Sequence, residues 1–252
     1  HKEIEEFGVS KRSFVDNNCG IIEKTHTDSD SGGQLKEKIG STGSGTGPAN
    51  ADRAMRTLKM AKEIPSLKPY LVDVAQELHN ALDSEKNILV EGTQGTFLSL
   101  WHGTYPFVTS KDVTASGICA DIGLGPKNVD DVMVVFKSYV TRVGTGTLKG
   151  ELPMDEVANR GWSEVGTVTG RQRRAAEFDF DLAKRAVMLN SATQIALTKL
   201  DVLFPECAHK NSFEDLSSAA KKFITNIEDK TDVAVTLIGT GPGVSDIIDL
   251  RE

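Results

Sequence analysis

Cysteine is scarce in this sequence, and long apolar runs are missing. The three cysteines, Cys19, Cys119 and Cys207, are widely spaced and form no Cys-x-x-Cys pair. That excludes a disulfide framework and a zinc site and fits a reducing compartment. Buried, reduced thiols are the expectation for these residues. No apolar stretch approaches the roughly 20 residues that a membrane span requires, and the start carries no secretory signal pattern. The expectation is a soluble, cytoplasmic protein with no membrane partner. Internal repeats, low-complexity tracts and proline-rich linkers are absent too. Basic residues are outnumbered by acidic ones 29 to 36, for a formal net charge of -7, which argues against a surface built to coat nucleic acid. Against that balance, Ser163 to Arg174 reads SEVGTVTGRQRR and closes on Arg171, Arg173 and Arg174. Cation concentrated there must serve something local.

At 252 residues the chain can bury a sizeable core, and one large domain over 1–252 is expected. HKEIEEF at the start reads as helix. Ala49 to Ile64 and Tyr70 to Ser84 carry apolar residues at helical spacing. NILVEG (Asn87 to Gly92) and VMVVFKSYV (Val132 to Val140) read as strands, being short, rich in β-branched residues and bounded by turn formers. FDLAKRAVMLNSATQIALTKLDVL joins a helix to a strand, and SFEDLSSAAKKFITNIEDK leads by a helix to VAVTLIG. Thr27 to Gly40, with DSDSGG, reads as an exposed loop. The fold class is therefore α/β, with a mainly parallel central sheet flanked by helices. Such sheets bind ligands beyond the carboxyl ends of their strands.

GSTGSGTGPANADR (Gly40 to Arg53) is glycine-rich and runs into a helix. Small residues let backbone N–H groups approach an anion, and the helix amino end adds positive potential. No Gly-Lys-Ser/Thr follows, so this is not a Walker sequence. Taken alone it fits an ordinary glycine-rich loop before a solvated helix better than an anion site. EGTQGTFLSLWHGTYPFVTSKDVTASG (Glu91 to Gly117) offers Gln94, whose amide can read a heterocycle edge, and hydroxyls including Thr104, Thr109 and Ser110 that can hold phosphate. His102, beside Trp101, fits a packed or capping residue better than a catalyst. TKLDVL (Thr198 to Leu203) places Asp201 after an apolar run. There it could read the N–H groups of guanine, with the stem of Lys199 along the base, or form a salt bridge at a strand end.

Together these stretches, with VEGTQG, HGTYPFVTSKDVTASG, KSYVTRVGTG and VGTVTGRQRR, resemble the adenylosuccinate synthetase family, in its short archaeal-like form, over nearly the whole chain. The resemblance implies a P-loop-NTPase-like synthetase fold. It implies a GTP-dependent ligase that joins inosine monophosphate (IMP) and L-aspartate to give adenylosuccinate, GDP and phosphate through a 6-phosphoryl intermediate. By the same resemblance, Thr42, Arg56, Gln94, Thr109 and Arg171 contact IMP. The loop Thr167, Val168, Thr169, Gly170, Arg171, Gln172 and Arg173 captures aspartate, Gln172 being included by place alone. Arg173, Lys199, Leu200, Asp201, Gly239, Thr240 and Gly241 contact GTP. The family's counterpart of Arg56 reaches a neighbouring subunit, which implies a homodimer.

The family also has a phosphate loop carrying a catalytic aspartate and magnesium ligand, then a histidine that acts as acid. No stretch before Gly40 resembles these. The resemblance therefore implies a fold incomplete at the amino end, with no catalytic residue and no Mg2+ ligand in this chain, inactive by itself. Two readings remain beside it: a non-catalytic nucleotide-binding module, and a different GTP-dependent enzyme on a related fold. GTLKGE (Gly146 to Glu151) departs from the family's Pro-Phe-Pro-Thr run, and Gly239 stands where many members have Ser. Arg174 is expected to be a solvated neighbour of the loop.

Overall fold

The computed structural model describes residues 2–32, 34–166 and 170–251. They form two compact units, His1–Asn128 and Val129–Glu252. The expected helix at the start is α1, Lys2–Glu6. A two-residue strand, β1 (Val15–Asp16), pairs in parallel with β2 (Leu71–Val72), with Val15 opposite Leu71. Between them lie α2 (Lys24–Ser31), α3 (Gln34–Ile39) and α4 (Thr46–Met55). The segment expected to be an exposed loop is thus largely helical, and Asp30 within it is 3% exposed. Its polar sequence misled because the apolar stripe of a buried helix is missing and a carboxylate faces inward instead. The helix expected over Ala49 to Ile64 runs instead as α4 and stops where Arg56 takes a left-handed φ of 66°. A left-handed cap ends the helical hydrogen-bond pattern regardless of the apolar spacing beyond it.

The first unit continues with α5 (Val74–Asp83), capped by Asp73, whose side chain accepts from the Gln76 N–H at 3.0 Å, and α6 (Ala115–Ile122). Among the described residues, NILVEG forms no strand, and Leu89 is 94% exposed. β-Branched composition alone does not make a strand when no partner edge is hydrogen-bonded to it.

The second unit carries the main sheet. β3 (Met133–Lys137), β6 (Gln194–Thr198) and β7 (Val235–Gly239) are parallel, and β8 (Ile247–Asp249) runs antiparallel on β7, in the order β3-β6-β7-β8. A second pair, β4 (Val140–Arg142) with β5 (Arg174–Ala176), is antiparallel. The run VMVVFKSYV is therefore split between two sheets: the Ser138 N–H still donates to Thr198 O of β6 at 2.9 Å, and from Val140 the chain pairs with β5 instead. The remaining helices are α7 (Met154–Asn159), α8 (Phe180–Asn190), α9 (Leu200–Leu203) and α10 (Ser218–Thr231). In α10 the buried residues Ala220, Ile224, Ile227 and Thr231 recur at helical spacing. The first three meet Ile195, Leu197, Val235 and Ile238 of the sheet in one core. Each fully buried large aliphatic there contributes about 1.5–3 kcal/mol by leaving water. A smaller cluster joins Tyr139, Val157, Trp162 and Ala175; the Tyr139 and Trp162 rings stack at 4.6 Å.

All three cysteines are free, but only Cys207 is buried; Cys19 is exposed and Cys119 lies between. The expectation of buried thiols holds for one of them. Among the described residues no helix is long and apolar enough to cross a membrane.

Candidate functional site

Thr42 lies in the glycine-rich loop of the first unit, and the loop's shape has visible causes. Gly43 and Gly45 have φ of 75° and 82°. A Cβ on Gly45 would come within 2.9 Å of the Thr27 backbone N, so only glycine fits there without strain. The buried Asp30 carboxylate accepts from the Gly45 N–H at 2.8 Å and from the Ser41 hydroxyl at 2.6 Å. His26, also buried, accepts from the Glu23 N–H at Nδ1, so Nε2 carries the hydrogen that faces Asp52 Oδ2 at 3.0 Å. This ties α2 to α4. Arg56 is exposed at the carboxyl cap of α4 rather than within the helix.

The Asn50 side chain on α4 donates to Ser110 Oγ at 2.8 Å and so brings the loop bearing Thr109 to the glycine-rich loop's helix. Thr109 is itself fixed by its N–H on Leu98 O at 2.7 Å. Asp112 organises the turns around it, accepting from Ser99 Oγ at 2.7 Å and Thr114 Oγ1 at 2.8 Å. Burial works against its ionisation, yet those hydrogen bonds and the nearby His102 hold it below the ordinary aspartate value. Gly103 is indispensable here, since a Cβ would meet Phe97 O at 2.4 Å. Gln94 is exposed with φ 69°.

In the second unit the carboxyl ends of the parallel strands share one edge. Lys137 pairs with Thr198 in register, and Leu197 with Ile238. The residues that follow are therefore neighbours: Ser138 Oγ donates to Lys199 O at 2.7 Å, and His209 N–H donates to Thr240 O at 2.9 Å. Lys199 is exposed and Asp201 half-buried. Leu200 and Thr240 are both fully buried. The Thr240 hydroxyl is spent on Lys210 O at 2.8 Å, so any contact with a ligand falls to backbone at those two positions. Asp246 closes the turn after β7, accepting from the Gly243 N–H at 2.8 Å and facing His209 Nδ1 at 2.9 Å. A Cβ on Gly241 would strike this carboxylate at 2.6 Å. Asp246 raises the pKa of His209, with Asp201 adding a smaller push the same way.

The arginine-rich stretch approaches that edge. Thr167, Val168 and Thr169 lie outside the described residues. The chain on either side of them forms a short antiparallel ladder: Arg173 N–H to Glu164 O at 2.8 Å, Val165 opposite Gln172, and Gly166 N–H to Arg171 O at 2.8 Å. Gly170 has φ 63°. The three arginines differ in their surroundings. Arg171 is half-buried. Arg173 faces Glu164, with Nε to Oε2 at 3.6 Å. Arg174 is no solvated neighbour: it clamps the Glu151 carboxylate and donates to Gly144 O at 3.0 Å and Gly146 O at 2.8 Å. The charge that looked spare in the sequence is structural, holding the divergent GTLKGE turn.

The model of the adenylosuccinate synthetase family matches residues 57–208. Adenylosuccinate synthetase of Methanocaldococcus jannaschii is 53% identical over 254 residues, covering 99% of this chain and 74% of that protein. The Pyrococcus horikoshii enzyme is 51% identical over 100% of this chain and 74% of its own length. The chain belongs to the adenylosuccinate synthetase family. Its fold is that of solved members: fully ligated adenylosuccinate synthetase from Plasmodium falciparum superposes with a TM-score of 0.89 at 26% identity, over 99% of this chain and 81% of the other. A cyanophage S-2L succinoaminodeoxyadenylate synthetase, bound to dGMP and to dATP as an energy donor, gives a TM-score of 0.76 at 27% identity, over 99% and 73% of the two chains. Family membership makes this a ligase of purine biosynthesis. Sequence reasoning missed Asp30, Tyr139 and Glu164. Tyr139 had a signal: Lys137, Tyr139 and Thr141 alternate through KSYVT, the spacing of one strand face.

Proposed function

We propose that the protein joins IMP and L-aspartate at the expense of GTP, giving adenylosuccinate, GDP and phosphate. The observation that supports this best is the shared strand edge of the second unit. Lys199, Asp201 and the Gly239–Gly241 turn gather where parallel sheets bind nucleotides, and Arg173 reaches the same edge through Glu164 and Lys137. In this reading Asp201 accepts from guanine, Lys199 lies along the base, and the turn Gly239, Thr240, Gly241 covers it through its backbone. Arg171 and Arg173 present planar guanidinium groups to carboxylate and phosphate oxygens. Thr42, Arg56, Gln94 and Thr109 hold IMP, its phosphate met by N–H groups of the glycine-rich loop and the amino end of α4. Arg56, exposed at a helix cap, serves a second copy of the chain. The chain acts as part of one synthetase domain in the cytoplasm.

The chemistry has two steps. Loss of the N1 proton lets O6 of IMP attack the γ-phosphate of GTP, giving 6-phosphoryl-IMP. The amino group of aspartate then displaces phosphate at C6, and the arginine loop holds aspartate for that attack. The residues of this chain bind and orient; proton transfer is assigned to none of them. Magnesium would neutralise triphosphate charge. Among the described residues no group of three or more His, Cys, Asp or Glu is placed to hold a metal ion.

Incubating the full-length protein with IMP, aspartate and GTP tests the reading. Adenylosuccinate, GDP and phosphate are expected in equal amounts, with none formed when one substrate is left out. Nucleotide binding without product would mean a binding module instead. Asp201→Asn should weaken GTP by about 1.5–3 kcal/mol, the scale of a hydrogen bond to a charged group, and an unchanged GTP KM would remove the guanine assignment.

A further inference from the structure

KSYVTRVGTG is the family motif to which no ligand role attaches, and its side chains converge on one carboxylate. Lys137 Nζ lies 3.1 and 3.3 Å from the two oxygens of Glu164. Tyr139 donates its hydroxyl to Glu164 Oε1 at 2.7 Å. Thr141 Oγ1 accepts from Lys137 Nζ and, at 3.5 Å, from Arg173 Nη1. Glu164 also anchors Arg173 by main chain, through the 2.8 Å bond to its carbonyl. We propose that Glu164 is the positioning residue of the arginine loop, held by Lys137 and Tyr139 and acting on substrates through Arg173. This rests on the reading of the loop as the aspartate and GTP site.

The electrostatics favour positioning over bracing. One carboxylate stands between two cations, and Lys199 lies near enough to help lower its pKa. Burial opposes ionisation of Glu164, but the hydrogen bonds from Tyr139 and Lys137 outweigh it. Burial, with Arg173 and Lys199 nearby, likewise depresses Lys137 against the pull of Glu164. The cluster thus carries surplus positive charge. The Arg173 Nε is buried without a hydrogen-bond partner among the described residues. Its ion pair with Glu164, at 3.6 Å, is too long for a hydrogen bond, and the side chain is a third exposed, so the guanidinium keeps donors for an arriving anion. The Tyr139 ring, stacked on Trp162, fixes the hydroxyl that aims Glu164.

The test uses Glu164→Gln, Arg173→Leu and their double variant in the full-length protein, with each substrate varied separately. Glu164→Gln should raise the GTP KM about tenfold and lower aspartate kcat/KM by a similar factor, while the IMP KM stays within about threefold. In the Arg173→Leu background the same change should cost no more than about twofold further, because both act in one path. Should Glu164→Gln fail to fold, Tyr139→Phe keeps the ring stack and is expected to shift the same two parameters about threefold. Additive losses, equal losses for all three substrates, or silence of both Glu164→Gln and Tyr139→Phe beside an impaired Arg173→Leu would overturn the proposal and leave the loop assignment standing. A silent Arg173→Leu would overturn the loop assignment itself.

Discussion

On the proposed reading the glycine-rich loop and the arginine loop both meet anions, and they are held by different means. The first is fixed by backbone geometry and hydrogen bonds: glycines at positive φ and one buried carboxylate, Asp30, that takes a main-chain N–H and a hydroxyl. Its N–H groups and the amino end of α4 supply a diffuse positive field. The second is fixed by a β-ladder and an ionic cluster around Glu164, and it offers whole charges on Arg171 and Arg173. A phosphate that must be bound tightly but not transformed suits the first. A dicarboxylate that must be aimed at a carbon atom suits the second, because a guanidinium fixes direction as well as charge.

The largest break in this comparison should come from Arg171→Leu. Losing a desolvated partner of a carboxylate costs on the order of 2–5 kcal/mol, roughly a thirtyfold to several-thousandfold fall in kcat/KM for aspartate. Asp30→Ala comes next, with a different signature. It removes the acceptor of the buried Gly45 N–H, at about 1–3 kcal/mol for an unsatisfied buried group, so the urea midpoint should fall and the IMP KM should rise while aspartate KM moves least. If instead aspartate suffered most, the two loops would not divide the labour as described. The smallest effect concerns the turn beside Lys199 and Asp201. His209 has a folded pKa raised by Asp246, so the stability this pair contributes is complete below the unfolded histidine value and is lost as pH rises through the folded one. An NMR titration should place His209 above about 6.5, and Asp246→Asn should bring it back down.

Much of the second unit was legible in the sequence. The helices α8 and α10 and the strands β6 and β7 follow directly from apolar periodicity and β-branched runs, since each buries its apolar side in a single core. The same logic failed where apolar residues are not buried, as at Leu89, and where a polar segment is, as at Asp30. The family's motifs were legible because small and charged residues recur at fixed spacing. Their supports were not, because Glu164, Tyr139 and Lys137 meet only when separate strands and loops fold together. Arg174 shows the cost: by sequence it matches Arg171 and Arg173, and only the contact with Glu151 separates it from them.

Hydrogen exchange resolved to short peptides, followed in the full-length protein first with IMP and then with GTP analogue and aspartate added, tests the division of labour most directly. The account predicts that IMP slows exchange across 40–47, and that adding aspartate then slows 164–174 while 40–47 changes little further. Aspartate protecting 40–47, or leaving 164–174 unchanged in an enzyme that turns it over, would contradict it.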